Sequence, residues 1–196
     1  MAQSAPDRPA LMSAHDLELV ALASTGGRAA FGELARRHGS AVRGLLRRMG
    51  ADGSLADDLA QDAFLAAFEQ IGDFRGEGTF QAWVKRIAAR LYVRRWRRSA
   101  REGLLADGAE TDPPGDAGEG GAVSRIDLDE ALKRLSQAER VCVSLCYGAG
   151  LSHAEAAAAL NAPLGTVKSH VKRGLDKLRA RLSPDGDGAQ ASKVHG

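Results

Sequence analysis

At 196 residues, with 44% hydrophobic and 27% charged side chains, the chain can form one sizeable domain or two small ones, and its composition excludes a disordered or fibrous class. A net charge of +2 carries no message as a total, so any electrostatic signal lies in how charge is distributed along the chain. No run approaches the roughly 18 apolar residues of a bilayer-spanning helix, and MAQSAPDRPALMSAHD lacks a basic region followed by an apolar core; the expectation is a cytoplasmic protein with no membrane insertion.

Almost every periodic stretch has helical spacing, and no run alternates β-branched residues, which predicts an all-α fold. Residues 1–12 are expected to be disordered. Ser13, with Asp16 three residues on, predicts the cap of a short helix to about Ala23; Phe31, Leu34, Val42, Leu45 and Met49 then keep helical spacing up to MGADG. Ser54 and Asp57 predict a capping box opening a third helix, SLADDLAQDAFLAAFEQI. Leu55, Leu59, Ala63, Ala66 and Ala67 of that helix can face a core, while Phe64, Leu65, Phe68 and Ile71 extend the apolar surface beyond one stripe. Either neighbours cover both sides or one side awaits a partner. After the loop GDFRGEG, a fourth helix is predicted in GTFQAWVKRIAARLYVRRWRRSAR, where Trp83, Tyr92 and Trp96 stand among Lys and Arg residues with no acid.

Residues 102–124 are rich in Gly, Pro, Ala and acids and contain no Lys or Arg, the composition of a flexible acidic linker. Beyond it RIDLDEALKRL reads as a helix, Ser136 with Glu139 caps SQAERVCVSLCYGAG, and Ser152 with Glu155 caps SHAEAAAAL. NAPLGTVKSHVKRGLDKLRARL closes the set, with Pro163 suited to a first turn, and residues 183–196 read as a disordered tail. Cys142 and Cys146, four apart in an apolar helical run, suit two small core side chains better than a disulfide, redox or metal pair.

Two elements are strongly basic. The segment from Leu151 to Leu182 is a short helix, a turn of about four residues and a longer basic helix, the pattern of a helix-turn-helix. Thr166, Lys168, Ser169, His170, Lys172 and Arg173 lie where such a unit meets base edges and phosphates, while Val167, Val171, Leu175 and Leu178 should face the core. A solvated basic helix of a structural bundle is the bland alternative. The fourth helix differs because duplex backbone binding needs no aromatic residues, whereas unstacked bases do. Trp83, with Phe74 and Phe80, could hold opened DNA while Lys85, Arg86, Arg90, Arg94, Arg95, Arg97 and Arg98 engage phosphates; the alternative for Trp83 and Phe80 is simple core packing. There is no Gly-rich phosphate loop, HExxH or GxSxG, and His residues lie apart, so catalytic residues, cofactor and metal site are all expected to be none.

Taken together, RAAFGELARRHG, DDLAQDAFLAAFEQIGDFRGEGTFQAWVKRIA and LSHAEAAAALNAPLGTVKSHVKRGLDKLRARL resemble the conserved segments of the extracytoplasmic-function sigma factors, promoter-specificity subunits of bacterial RNA polymerase. The resemblance implies two small helical domains: a four-helix σ2 over residues 13–101 and a helix-turn-helix σ4 over 125–182, joined by the linker. It implies that Asp58, Leu59, Gln61, Asp62, Leu65 and Phe68 bind the clamp coiled coil of core RNA polymerase. It also implies that σ2 opens the minus-ten element with the aromatic and basic residues from Phe74 to Arg95, that σ4 reads the minus-thirty-five element near the polymerase flap, and that the linker runs toward the RNA exit path. An anti-sigma factor is an implied partner. Arg90 stands where the family usually carries Asn, His170 where it usually carries Arg, and Phe68 where Trp or Tyr is frequent. The rival reading is a helix-turn-helix regulator that binds duplex DNA independently of polymerase; a further rival is a helical adaptor that binds only proteins.

Overall fold

The computed structural model describes residues 8–101 and 123–182, and among these all regular structure is helical. In chain order the helices are α1 (Arg8–Ser13), α2 (Asp16–Ser24), α3 (Arg28–Met49), α4 (Gly53–Glu69), a 3-10 turn (Ile71–Asp73), α5 (Phe80–Arg101), α6 (Val123–Lys133), α7 (Gln137–Val143) running into a π turn (Ser144–Gly148), α8 (His153–Leu160) and α9 (Leu164–Leu182). Most of the expected linker and the whole tail lie outside the described residues.

Helix starts follow local chemistry, with two corrections. Ser136 and Ser152 form the capping boxes expected with Glu139 and Glu155. At α4, however, Asp52 rather than Ser54 is the cap, accepting from Leu55 N–H at 2.8 Å; its carboxylate reaches that donor from an extended backbone, leaving Ser54 inside the first turn. Ser13 likewise ends α1 instead of opening α2: its hydroxyl donates back to Ala10 O at 3.2 Å, and His15 is the residue before α2. Residues 8–12, expected to be disordered, are therefore part of a helix, and Leu11 is buried.

That first helix is held by Arg37 of α3. Its guanidinium donates to Leu11 O at 3.0 Å, Met12 O at 2.8 Å and Ala14 O at 2.8 Å, serving carbonyls that the end of a helix leaves without partners. Glu33 fixes Arg37 from behind, with Nε to Oε1 at 2.8 Å; bonds from Arg36 and Arg37 hold the Glu33 carboxyl well down, at about 2.

The two helical units pack on each other. One continuous core joins Leu34, Leu45, Met49, Val84 and Tyr92 of the first to Val141, Leu145, Leu151, Val167 and Val171 of the second; Ala131, Leu132, Leu135, Val143 and Leu178 form a smaller cluster. Between the units sits a polar node. Tyr92 is buried, its hydroxyl donates to Met49 O at 2.7 Å, and Gln137 Nε2 donates to that carbonyl and to the Tyr92 oxygen, both at 2.8 Å. Cys142 is buried and Cys146 half-buried, and burial pushes the Cys142 thiol up to about 11, consistent with packing rather than thiol chemistry.

Two outcomes follow from this packing. Arg37→Ala is expected to speed amide exchange in α1 and α2 by roughly tenfold or more, with the centre of α3 unaffected; hydrogen exchange measures it. Burial raises the Tyr92 phenol to about 12 from an ordinary 10.0. A folded pKa above the unfolded one gives stability that is complete below the unfolded value and is lost as pH rises through the folded one. Denaturant melts of wild type and Tyr92→Phe should therefore show an extra loss in wild type between about pH 10 and 12.

Candidate nucleic-acid interface

The basic face of α5 starts from an aromatic cluster. Thr79 caps the helix, accepting from Ala82 N–H at 3.1 Å, and so sets Phe80 and Trp83 in the first turn. Phe74, from the loop after the 3-10 turn, lies tilted on Trp83 with ring centroids 5.4 Å apart, and both rings are half-buried. Phe80 is different. It is 2% exposed and sits beneath them, 5.8 Å from the Trp83 ring and 6.3 Å from Phe31, so the expectation that it touches a base is corrected: it is core and supports the two rings that reach the surface. Trp96 is half-buried against the core.

Arg90, Arg94 and Arg95 are exposed along the same helix. Lys85 is half-buried, and burial followed by the charge of Arg48 pushes its ammonium down. Arg86 is engaged already, donating to Gly150 O at 2.9 Å.

The helix-turn-helix forms from α8 and α9. Asn161 ends α8 in the left-handed conformation that Asn tolerates, and Pro163 O accepts from Thr166 N–H at 3.0 Å as α9 begins; the turn between the helices has three residues, Asn161, Ala162 and Pro163. Thr166, Lys168, Ser169, Lys172 and Arg173 are exposed and His170 is half-exposed. Val167, Val171 and Leu178 are buried as expected, and Leu175 packs at the edge of the core.

The cations of α9 are held by weak, exchangeable partners. Lys172 bonds Asp176 at 3.2 Å, and Arg173 Nη2 lies 3.0 Å from His170 Nδ1. Exposed pairs of this kind contribute about 0–1 kcal/mol and yield readily to a phosphate. Glu139 of α7 is the residue that sequence reasoning missed. Buried under the recognition helix, it accepts from Lys177 Nζ at 2.8 Å and from Ser136 N–H at 3.1 Å, with Arg173 Nε at 3.5 Å. Burial pushes its carboxyl up, but the bonds from Lys177 and Ser136 outweigh this and hold it below the ordinary range. Its SxxE signal was legible as a cap, not as an anchor for a helix 38 residues away.

A third surface lies on α3 and α4. Arg28, Phe31, Gly32, Gln61, Phe64, Leu65 and Phe68 line an apolar groove of about 300 Å³, with Leu65 56% exposed and the Phe68 ring 4.9 Å from Phe31. Asp58, Gln61 and Asp62 are exposed beside it. Leu59 is 6% exposed, on the stripe of Ala56, Ala60, Ala63 and Ala67 that faces the core, which removes it from the contact surface expected for it. Phe31 and Phe64 join the groove instead; their spacing had marked them only as apolar. Among the described residues no three His, Cys, Asp or Glu side chains gather as a metal site, and no helix is long and apolar enough to cross a membrane.

Two family models match the two helical units: sigma-70 region 2 over residues 34–102 and sigma-70 region 4 over residues 131–180. The chain is 36% identical over 178 residues to RNA polymerase sigma factor NccH of Alcaligenes xylosoxydans xylosoxydans, covering 85% of this chain and 94% of the relative. It is 34% identical over 168 residues to ECF RNA polymerase sigma factor SigM of Mycobacterium tuberculosis, covering 86% and 83%. Among solved structures it is similar to RpoE in complex with the anti-sigma factor NepR from Bartonella quintana, with TM-score 0.54, 27% identity and coverage of 79% and 98%. It is also similar to CnrH in complex with the cytosolic domain of CnrY, with TM-score 0.50, 31% identity and coverage of 87% and 98%. The paired region matches and these relatives place the chain in the extracytoplasmic-function family of RNA polymerase sigma factors, non-enzymatic subunits of transcription initiation.

Proposed function

We propose that this cytoplasmic sigma factor divides its work among the three surfaces described. The groove of Phe31, Phe64, Leu65 and Phe68, with Asp58, Gln61 and Asp62 at its rim, takes the clamp coiled coil of core RNA polymerase. Trp83 and Phe74 trap bases of the opened minus-ten element while Lys85, Arg86, Arg90, Arg94 and Arg95 follow the strand. The exposed start of α9, Thr166 to Arg173, reads the minus-thirty-five element as σ4 docks on the polymerase flap. Melting then needs no chemistry, because a flipped base regains stacking on an aromatic face worth about 1–3 kcal/mol.

The observation that carries this reading is the half-buried Phe74 and Trp83 pair at the head of a basic helix. A duplex-only regulator has no need of two rings held at the surface at the head of a helix that exposes Arg90 and Arg94. Control by an anti-sigma factor is supported by the two similar structures, RpoE with NepR and CnrH with CnrY.

Leu65→Asp should weaken binding to bacterial core polymerase by about tenfold or more while leaving the thermal melt unchanged, since Leu65 is exposed; affinity titration against purified core checks it. Trp83→Ala should reduce promoter opening, read by permanganate reactivity, by roughly 5- to 150-fold with little change in duplex binding. Lys172→Ala should instead weaken minus-thirty-five duplex binding and lower its salt slope by about 1. Equal losses in both assays for both variants would refute the division.

A further inference from the structure

Three unlike groups follow one another across the start of α9. Glu139 of α7 is 4% exposed, and its Oε1 lies 3.5 Å from Arg173 Nε; Arg173 Nη2 in turn lies 3.0 Å from His170 Nδ1, one turn back along the helix. The carboxylate is fixed by the Ser136 N–H and by Lys177. Arg173 is thus held from the interior by an anion and at the surface by a ring.

A guanidinium can only donate, so His170 Nδ1 is the acceptor, the ring proton sits on Nε2, and the imidazole is neutral in this contact. The two contacts engage Nε and one hydrogen of Nη2. Nη1 and the second hydrogen of Nη2 are left for a bidentate contact, the form in which Arg reads a base edge in the major groove. The Arg173 side chain is 57% exposed, so its partners orient it more than they stabilise the fold.

A proton taken up by His170 lands on Nδ1, the lone pair that Arg173 uses, and sets a second cation beside the guanidinium. Imidazoles make this exchange between about pH 5 and 8. Burial pushes the Glu139 carboxyl up, but the bonds from Lys177 and Ser136 outweigh this and hold it below the ordinary range, so it stays ionised across that window. On the other elements packed against α9, Asp129 and Glu130 of α6 are engaged with Arg48 and Lys133, and Glu155 of α8 lies against Arg86. Along α9 itself, Lys172 pairs with Asp176.

We infer that neutral His170 is a positioning residue for Arg173, holding its fork in the orientation that reads a base edge, and that protonation of His170 releases the fork. This role rests on the proposed reading of the minus-thirty-five element by α9. Promoter selectivity of this chain therefore falls as pH drops through the imidazole range, while the added cation strengthens sequence-independent attraction to phosphate.

Two duplexes serve as probes: one enriched from a random-sequence library by the full-length wild-type chain at about pH 8, and a shuffled version of it. Fluorescence anisotropy gives the ratio of the two affinities for each full-length variant at about pH 8 and about pH 5.5. The wild-type ratio is expected to fall by about fivefold or more at the lower pH, with binding to the shuffled duplex tightening. His170→Gln does not titrate, and its amide oxygen can accept from Arg173; it is expected to give one ratio at both pH values, above that of His170→Ala. In an Arg173→Ala background, His170→Ala is expected to change the ratio by less than about twofold, because the side chain it positions is gone. A wild-type ratio level with pH, a fall that persists in His170→Gln, His170→Gln no better than His170→Ala, or losses at positions 170 and 173 that simply add overturns the inference while leaving α9 as a reading helix. If the library yields no enriched duplex and Lys172→Ala binds shuffled duplex as wild type does, the reading of α9 itself fails.

Discussion

The end of α3 imposes the constraint on which the arrangement depends. Gly50 takes the left-handed conformation, with φ of 107°, and the helix stops there, with Gly50 and Ala51 N–H bonded back to Arg47 and Leu46 carbonyls. Met49 is buried, so its carbonyl needs a donor from elsewhere. Tyr92 supplies one from α5 and Gln137 another from α7, so a single oxygen gathers a helix of each unit onto a third. This is why α5 carries a tyrosine among its basic residues: a phenylalanine would fill the volume and leave the carbonyl with one donor fewer. It is also why Gly50 resists replacement, since a Cβ would overlap Arg140 and Gln137 in a backbone region that L side chains rarely adopt.

A series of rings joins the surfaces of the first unit. Phe68 meets Phe31, Phe31 meets Phe80, and Phe80 meets both Phe74 and Trp83, at centroid separations of 4.9 to 6.3 Å. The two interior rings, Phe31 and Phe80, are buried, and the outer ones are half-buried. The groove proposed for polymerase and the pair proposed for flipped bases are thus opposite ends of one aromatic core, each braced from below by a buried ring: Phe68 edge-on against Phe31, Phe74 edge-on against Phe80, and Trp83 tilted on Phe80.

The electrostatics follow a related logic of partial satisfaction. Cations on α9 rest on Asp176, His170 and the buried Glu139, while Arg86 and Arg97 of α5 rest on backbone carbonyls of the second unit. These partners order long side chains without neutralising them deeply, so the positive surface stays available to phosphate. Arg140 is the exception, a charge placed where no counter-charge meets it among the described residues.

What the sequence determined by itself was local: the helical class, the Ser136 and Ser152 capping boxes, the helix-turn-helix, and the basic faces of α5 and α9. All of these are written within four residues of one another along the chain, so their physics is legible without a partner. Tertiary structure decided the rest. Phe80 looked as available as Trp83, and only the packing of α5 on α3 encloses the one and leaves the other half-exposed; Leu59, which helical spacing turned toward the core and the family resemblance turned toward a partner, is enclosed. Local spacing pointed to Ser54 as the cap of α4, whereas in the fold the Asp52 carboxylate takes that role from the preceding turn. The node at Met49 joins residues 43 and 88 positions apart, and the seating of the second unit on α3 and α5 and the burial of Arg140 bring together residues as distant; contacts at such separations leave no local periodicity, because they exist only once the helices have packed.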